Sequence, residues 1–114
     1  MKLNENKDME NQLIRLNGLR ADFMKWADSN EPSTWELDVN ETGGRLPGFT
    51  PDDEPVILLA VDNKGGHGWF LCVNKDIGGS ETSCYPIEEL TAEQVYEIRR
   101  LVETWLARKD ADFF

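Results

Sequence analysis

Val95, Ile98, Leu101, Val102, Trp105 and Leu106 recur at three- and four-residue steps, which lays one apolar stripe along a helix. Thr91 stands before this run with Gln94 three residues on. That pair is a capping box, in which each side chain satisfies a backbone donor that the first turn leaves free. Leu90 and Val95 occupy the hydrophobic-staple positions around it, and Arg108-Lys109 suit the negative end of the helix dipole. A helix is therefore predicted from about Ala92 to Arg108. Its stripe must be buried against something, and the rest of the chain has to supply that surface.

Part of the surface is a second helix. Met9, Leu13, Leu16, Leu19, Phe23 and Trp26 share one helical face, and Arg15, Arg20, Asp22 and Lys25 mark the wet one. The predicted span is Lys7 to Ala27. Gly18 costs about 1 kcal/mol there against Ala, so a kink or a packing reason is expected at that point. Pro32 ends the element, because it biases its predecessor to extended geometry.

The remainder comes from strands. Trp35, Leu37 and Val39 alternate with Glu36, Asp38 and Asn40, the period-two pattern of a strand with one wet, acidic face. Glu41 to Pro55 is rich in glycine and proline and reads as an irregular loop, with Leu46 and Phe49 as side chains that want burial. Val56 to Val61 is a continuous apolar run. With the glycine-rich turn Asn63 to Gly68 and the returning run Trp69 to Val73, it forms a hairpin. A further turn at Asp76 to Glu81 leads to a short strand, Thr82 to Tyr85, which Pro86 ends or places at an edge. Short links between successive strands favour an antiparallel meander of three to four strands. The expectation is one α+β domain over residues 1–114, with the N-terminal and C-terminal amphipathic helices on one face of the sheet. Residues 1–6 and 110–114 are expected to fray. The other face would be wet or would meet a partner.

The chain's charge is unevenly spread. Nine of its 22 acids fall between Asp28 and Asp62, where Arg45 is the only base, so this third of the chain carries −8 of the formal −10. Such a surface repels nucleic acid and anionic membrane and attracts basic proteins or cations. Eleven aromatic residues argue for a folded chain. No apolar run approaches the roughly 20 residues needed to span a bilayer. Met1 to Glu10 has neither an apolar h-region nor a cleavage site. A cytoplasmic protein is the expectation. Cys72 and Cys84 are too few for a disulfide framework or a zinc cluster, and in a reducing cytosol both should be buried free thiols. A cross-strand disulfide is the alternative for an exported chain.

No constellation names a reaction. The Asn63-Lys64-Gly65-Gly66-His67-Gly68 turn matches neither the P-loop nor the dinucleotide fingerprint, and a strand rather than a helix follows it. His67 is the sole histidine, and no serine or cysteine has a recognisable nucleophile context to pair with it. Asp52-Asp53-Glu54, with Asp62 nearby, offers ligands for a hard cation but lacks the EF-hand spacing and reads first as a solvated acidic loop. No cofactor and no metal are expected.

These features point to a binding module rather than an enzyme. The expected partner is a basic protein: a nuclease, a toxin or a nucleic-acid-binding protein. The module would neutralise it as immunity proteins and phage anti-defence inhibitors, anti-CRISPR types among them, do for their targets, with carboxylates standing in for phosphates. The expected contact residues are Glu36, Asp38, Glu41, Asp52, Asp53, Glu54 and Asp62, with Trp35 and Phe49 as aromatic anchors. Direct binding to nucleic acid or membrane is not expected, and the protein would be a monomer or a homodimer. Two alternatives remain open. One is an acidic homodimeric chaperone or adaptor that holds a client segment. The other is a small enzyme or metal-binding protein using His67 or the acidic loop.

Overall fold

The computed structural model describes residues 2–31, 34–61, 65–74 and 82–113. The chain is α+β. Five strands pair antiparallel in the order β1-β2-β3-β4-β5: β1 Asp28–Glu31, β2 Thr34–Asp38, β3 Val56–Val61, β4 His67–Asn74 and β5 Thr82–Pro86. The meander therefore has one strand more than the three to four expected. Helices α1 (Lys2–Asn17) and α2 (Arg20–Trp26) precede it, α3 (Val39–Thr42) follows β2, and α4 (Ala92–Phe113) closes the chain.

The alternation along each strand divides the sheet into two faces. Leu37, Ile57, Leu59, Trp69, Leu71 and Val73 point inward and are buried with Leu16 and Phe23 of the first two helices. Val95, Ile98, Leu101, Val102 and Leu106 bring the predicted stripe of α4 into the same core. Phe23 is fully buried, edge-on to Trp69 with ring centroids 4.9 Å apart, and tilted against Trp105 at 6.1 Å. Where α1 crosses α4, Arg99 lies buried and its Nε donates to Gln12 Oε1 at 2.7 Å. The Arg99 guanidinium also pairs with Glu103 at 2.8 Å, so its charge does not stand uncompensated in the interior.

The start of α4 follows its sequence signature. Thr91 N donates to Gln94 Oε1 at 3.0 Å, and Gln94 N donates to Thr91 Oγ1 at 3.1 Å. The first helix starts at Lys2 rather than Lys7, and it breaks into α1 and α2 at Gly18-Leu19, where the low helix propensity of glycine leads one to expect a kink. The hairpin of β3 and β4 forms, from Val56 opposite Cys72 to Val61 opposite His67, with β4 starting at His67 rather than Trp69; Asn63 and Lys64 of the expected turn lie outside the described residues. The turn expected over Asp76 to Glu81 lies outside the described residues.

Two stretches differ from the expectation. Asp28 to Glu31, between the first helix and Pro32, is β1, an edge strand paired to β2. Its side chains are all polar, so no alternation of hydropathy marks it. Val39, predicted to end a strand, instead starts α3, because Asp38 Oδ1 accepts from Asn40 N at 3.0 Å and Gly43 stops the turn with φ 77°. The long loop that follows is held at both sides. Gln94 Nε2 donates to Pro47 O at 2.9 Å, Asn40 Nδ2 donates to Pro51 O at 3.0 Å, and Leu46 is buried in the core. Gly44 packs against Leu101 so closely that a Cβ there would overlap the leucine side chain.

The cysteines correct the expectation of two free thiols. The β4–β5 register sets Cys72 directly opposite Cys84 with Cα atoms 4.0 Å apart, and the two form a disulfide. Cys72 is buried, whereas Cys84, on the edge strand, is exposed.

Candidate functional site

The helix-free face of the sheet carries the residues that point away from the core. Register places them in rows across the strands. One row runs Asp28, Glu36, Leu58, Phe70, Pro86, and the next runs Asp38, Val56, Cys72, Cys84. Both rows begin with carboxylates on the β1–β2 side and become apolar toward β5. The five strands contain no Lys or Arg.

At the acidic edge of the sheet a cleft opens between the strands and helices α2 and α4. Strand β1 pairs with β2 only as far as Glu36, so Leu37 and Asp38 run on beyond its end. The cleft at this step is lined by Asp28, Glu36, Asp38 and Glu41, by Trp26 and Trp105 from α2 and α4, and by Lys109. Lys109 Nζ lies 5.5 Å from the centre of the Trp105 ring, within reach of a cation–π attraction, and it is the single base among four acids. Asp28 and Glu36 are direct partners across the β1–β2 ladder. Like charges directly opposite one another destabilise a strand pair, so the sheet gains nothing from this arrangement.

The expected contact residues fall into separate places. Glu36, Asp38 and Glu41 line the cleft together. Asp52, Asp53 and Glu54 sit in and after the 3₁₀ turn Pro51–Asp53, at the same end of the sheet, because Asn40 ties that turn to α3. Asp38 and Asp53 also have local structural work: Asp38 caps α3, and Asp53 Oδ2 accepts from Thr50 N at 2.7 Å. Trp35 and Phe49 are half-buried against the core, and Trp35 points to the helix side of the sheet, opposite to Glu36 and Asp38. Asp62 lies outside the described residues. Asp28, Trp26 and Trp105 belong to the cleft but were not singled out as contacts. Only the pairing of β1 with β2 and the packing of α4 bring them there, and neither is written in local periodicity.

His67 opens β4 on the helix side, edge-on to Trp35 at 5.5 Å, while its backbone carbonyl accepts from Arg20 at 2.8 Å. Cys72 and Cys84, the two thiols of the sequence, lie on the opposite face of the sheet and are joined to one another. Among the described residues, no three His, Cys, Asp or Glu side chains are grouped to hold a metal ion, and no helix is long and apolar enough to cross a membrane. Comparison with known proteins finds no family model, no curated protein and no solved structure that matches the chain.

Proposed function

We propose that this protein is a binding module for a basic protein, which it holds or neutralises through its acidic surface and without catalysing a reaction. A nuclease, a toxin or another nucleic-acid-binding protein has the surface chemistry that fits. Its phosphate-binding Arg and Lys side chains would meet carboxylates in place of phosphates. The observation that carries this reading is the direct opposition of Asp28 and Glu36 at a cleft that also gathers Asp38 and Glu41. Opposed carboxylates cost the folded chain stability, and an incoming guanidinium or ammonium relieves that cost. Trp26 and Trp105 add aromatic faces on which such a cation rests. Trp105 already carries Lys109 in that way, and Trp26 carries Lys25 at 4.9 Å, so an incoming cation joins or displaces these lysines.

The experiment is capture from the native host. Immobilised wild-type protein is compared with the Asp28→Lys, Glu36→Lys, Glu41→Lys variant, and the retained proteins are identified by mass spectrometry. Asp38 and Asp53 are left in place because both are caps, and replacing a cap costs about 1 kcal/mol. A basic protein retained by the wild type and lost by the variant is the expected result. Retention of the same proteins by both would remove the acidic cleft from function.

A further inference from the structure

We infer that the helix-free face of the sheet is the contact core for the same basic partner, which docks an apolar patch on Val56, Leu58 and Phe70 while its Arg or Lys side chains reach the carboxylates beside them. This inference rests on the proposed function and adds where the partner sits and what its surface must look like. Val56, Leu58 and Ala60 alternate with buried Ile57 and Leu59, and Phe70 lies between buried Trp69 and Leu71. These outward residues are half-buried, and none of them belongs to the cluster packed under the helices. An apolar centre rimmed by charge is the composition of a protein contact rather than of a wet surface.

Register gives the partner's dimensions. Phe70 and Glu36 share a row two strands apart, and Asp28 lies one strand further. With strands about 4.8 Å apart, the partner's basic groups should lie about 10–14 Å to one side of its apolar contact. Charge decides against a second copy of this chain as the occupant. The strands contain no Lys or Arg, so the sheet face of a second copy brings no base of its own, its cleft brings Lys109 against four acids, and each copy carries −10.

The test uses three synthetic peptides of equal length, alternating Arg-Leu, Arg-Ser and Glu-Leu, with binding read by fluorescence anisotropy. Wild type is compared with Leu58→Thr, Phe70→Thr and with Asp28→Lys, Glu36→Lys. Threonine keeps the strand propensity, and circular dichroism checks the fold. The single Phe70→Thr variant serves if the double one does not fold. The Arg-Leu peptide should bind wild type and lose about tenfold in affinity with the threonine variant, as partial loss of one or two apolar contacts implies, and should also weaken with the lysine variant, where attraction of its arginines becomes repulsion. The Arg-Ser peptide should bind more weakly and be indifferent to the threonine substitutions. Equal binding of Arg-Leu by wild type and the threonine variant, with loss only in the lysine variant, overturns the sheet-face inference and leaves the acidic reading standing. Indifference to both variants, or no binding of either Arg peptide by wild type, overturns the two together. Self-association of wild type in sedimentation that the threonine variant abolishes would make the face a contact between copies, and would also overturn the inference.

Discussion

Reduction of the Cys72–Cys84 bridge should destabilise the protein by about 3 kcal/mol, the entropy that a loop of this size withholds from the unfolded chain at 25 °C. The bridge spans 12 positions. Little native enthalpy should oppose the change, because Cys84 sits on the exposed face of an edge strand that pairs with β4 alone. For a domain of this length the loss corresponds to roughly 10 °C in melting temperature. The assay is urea denaturation followed by tryptophan fluorescence, with and without a phosphine reductant, alongside the Cys72→Ser, Cys84→Ser variant. The reduced protein and the variant should lose the same stability, and both should show a larger urea slope, since the unfolded chain is no longer cross-linked. Hydrogen exchange should rise first in Thr82 to Pro86. Two free thiols in the intact mass of the untreated protein would refute the bridge. An unchanged midpoint on reduction would refute the loop-entropy reasoning.

Two further perturbations probe the core and the cleft. Phe23→Ala removes a fully buried ring between Trp69 and Trp105 and should cost about 3–5 kcal/mol, against about 1 kcal/mol for Thr91→Ala, which loses only a cap. The reverse order in chemical denaturation would mean that the helix faces are misassigned. Asp28→Asn should stabilise the isolated protein by a few tenths of a kcal/mol, about the size of a like-charge pair across a ladder, with the gain shrinking in high salt. A loss of stability at low salt would show that the two carboxylates do not repel.

The C-terminal helix and the central hairpin were more legible than the edge of the sheet. Thr91, Gln94 and the 3.6-residue stripe define α4 from local chemistry alone, and the apolar run at 56–61 with its glycine turn defines the central hairpin. These signals are short-range. Strand β1 carries none, because Asp28-Ser29-Asn30-Glu31 offers four polar side chains and becomes a strand only by pairing with β2. The same limit hid the disulfide, since the spacing of Cys72 and Cys84 does not reveal a register set by the β4–β5 ladder. For the candidate site, the concentration of acids was visible as a count, and Glu36 and Asp38 on a wet strand face followed from alternation. Their meeting with Trp26 and Trp105 was not visible, because the cleft is built by elements far apart in the chain.

The central claim, that the acidic cleft recruits a basic protein, is tested most directly by the association rate of the captured partner as a function of ionic strength. Wild-type association should be fast at low salt and slow steeply as the Debye length falls toward about 8 Å at 0.15 M, because complementary charge acts mainly on encounter. The Asp28→Lys, Glu36→Lys, Glu41→Lys variant should associate more slowly and should lose, or invert, that salt dependence. Identical rates and identical salt slopes for the two proteins would contradict the claim and leave the acids of residues 28–62 as a device for solubility.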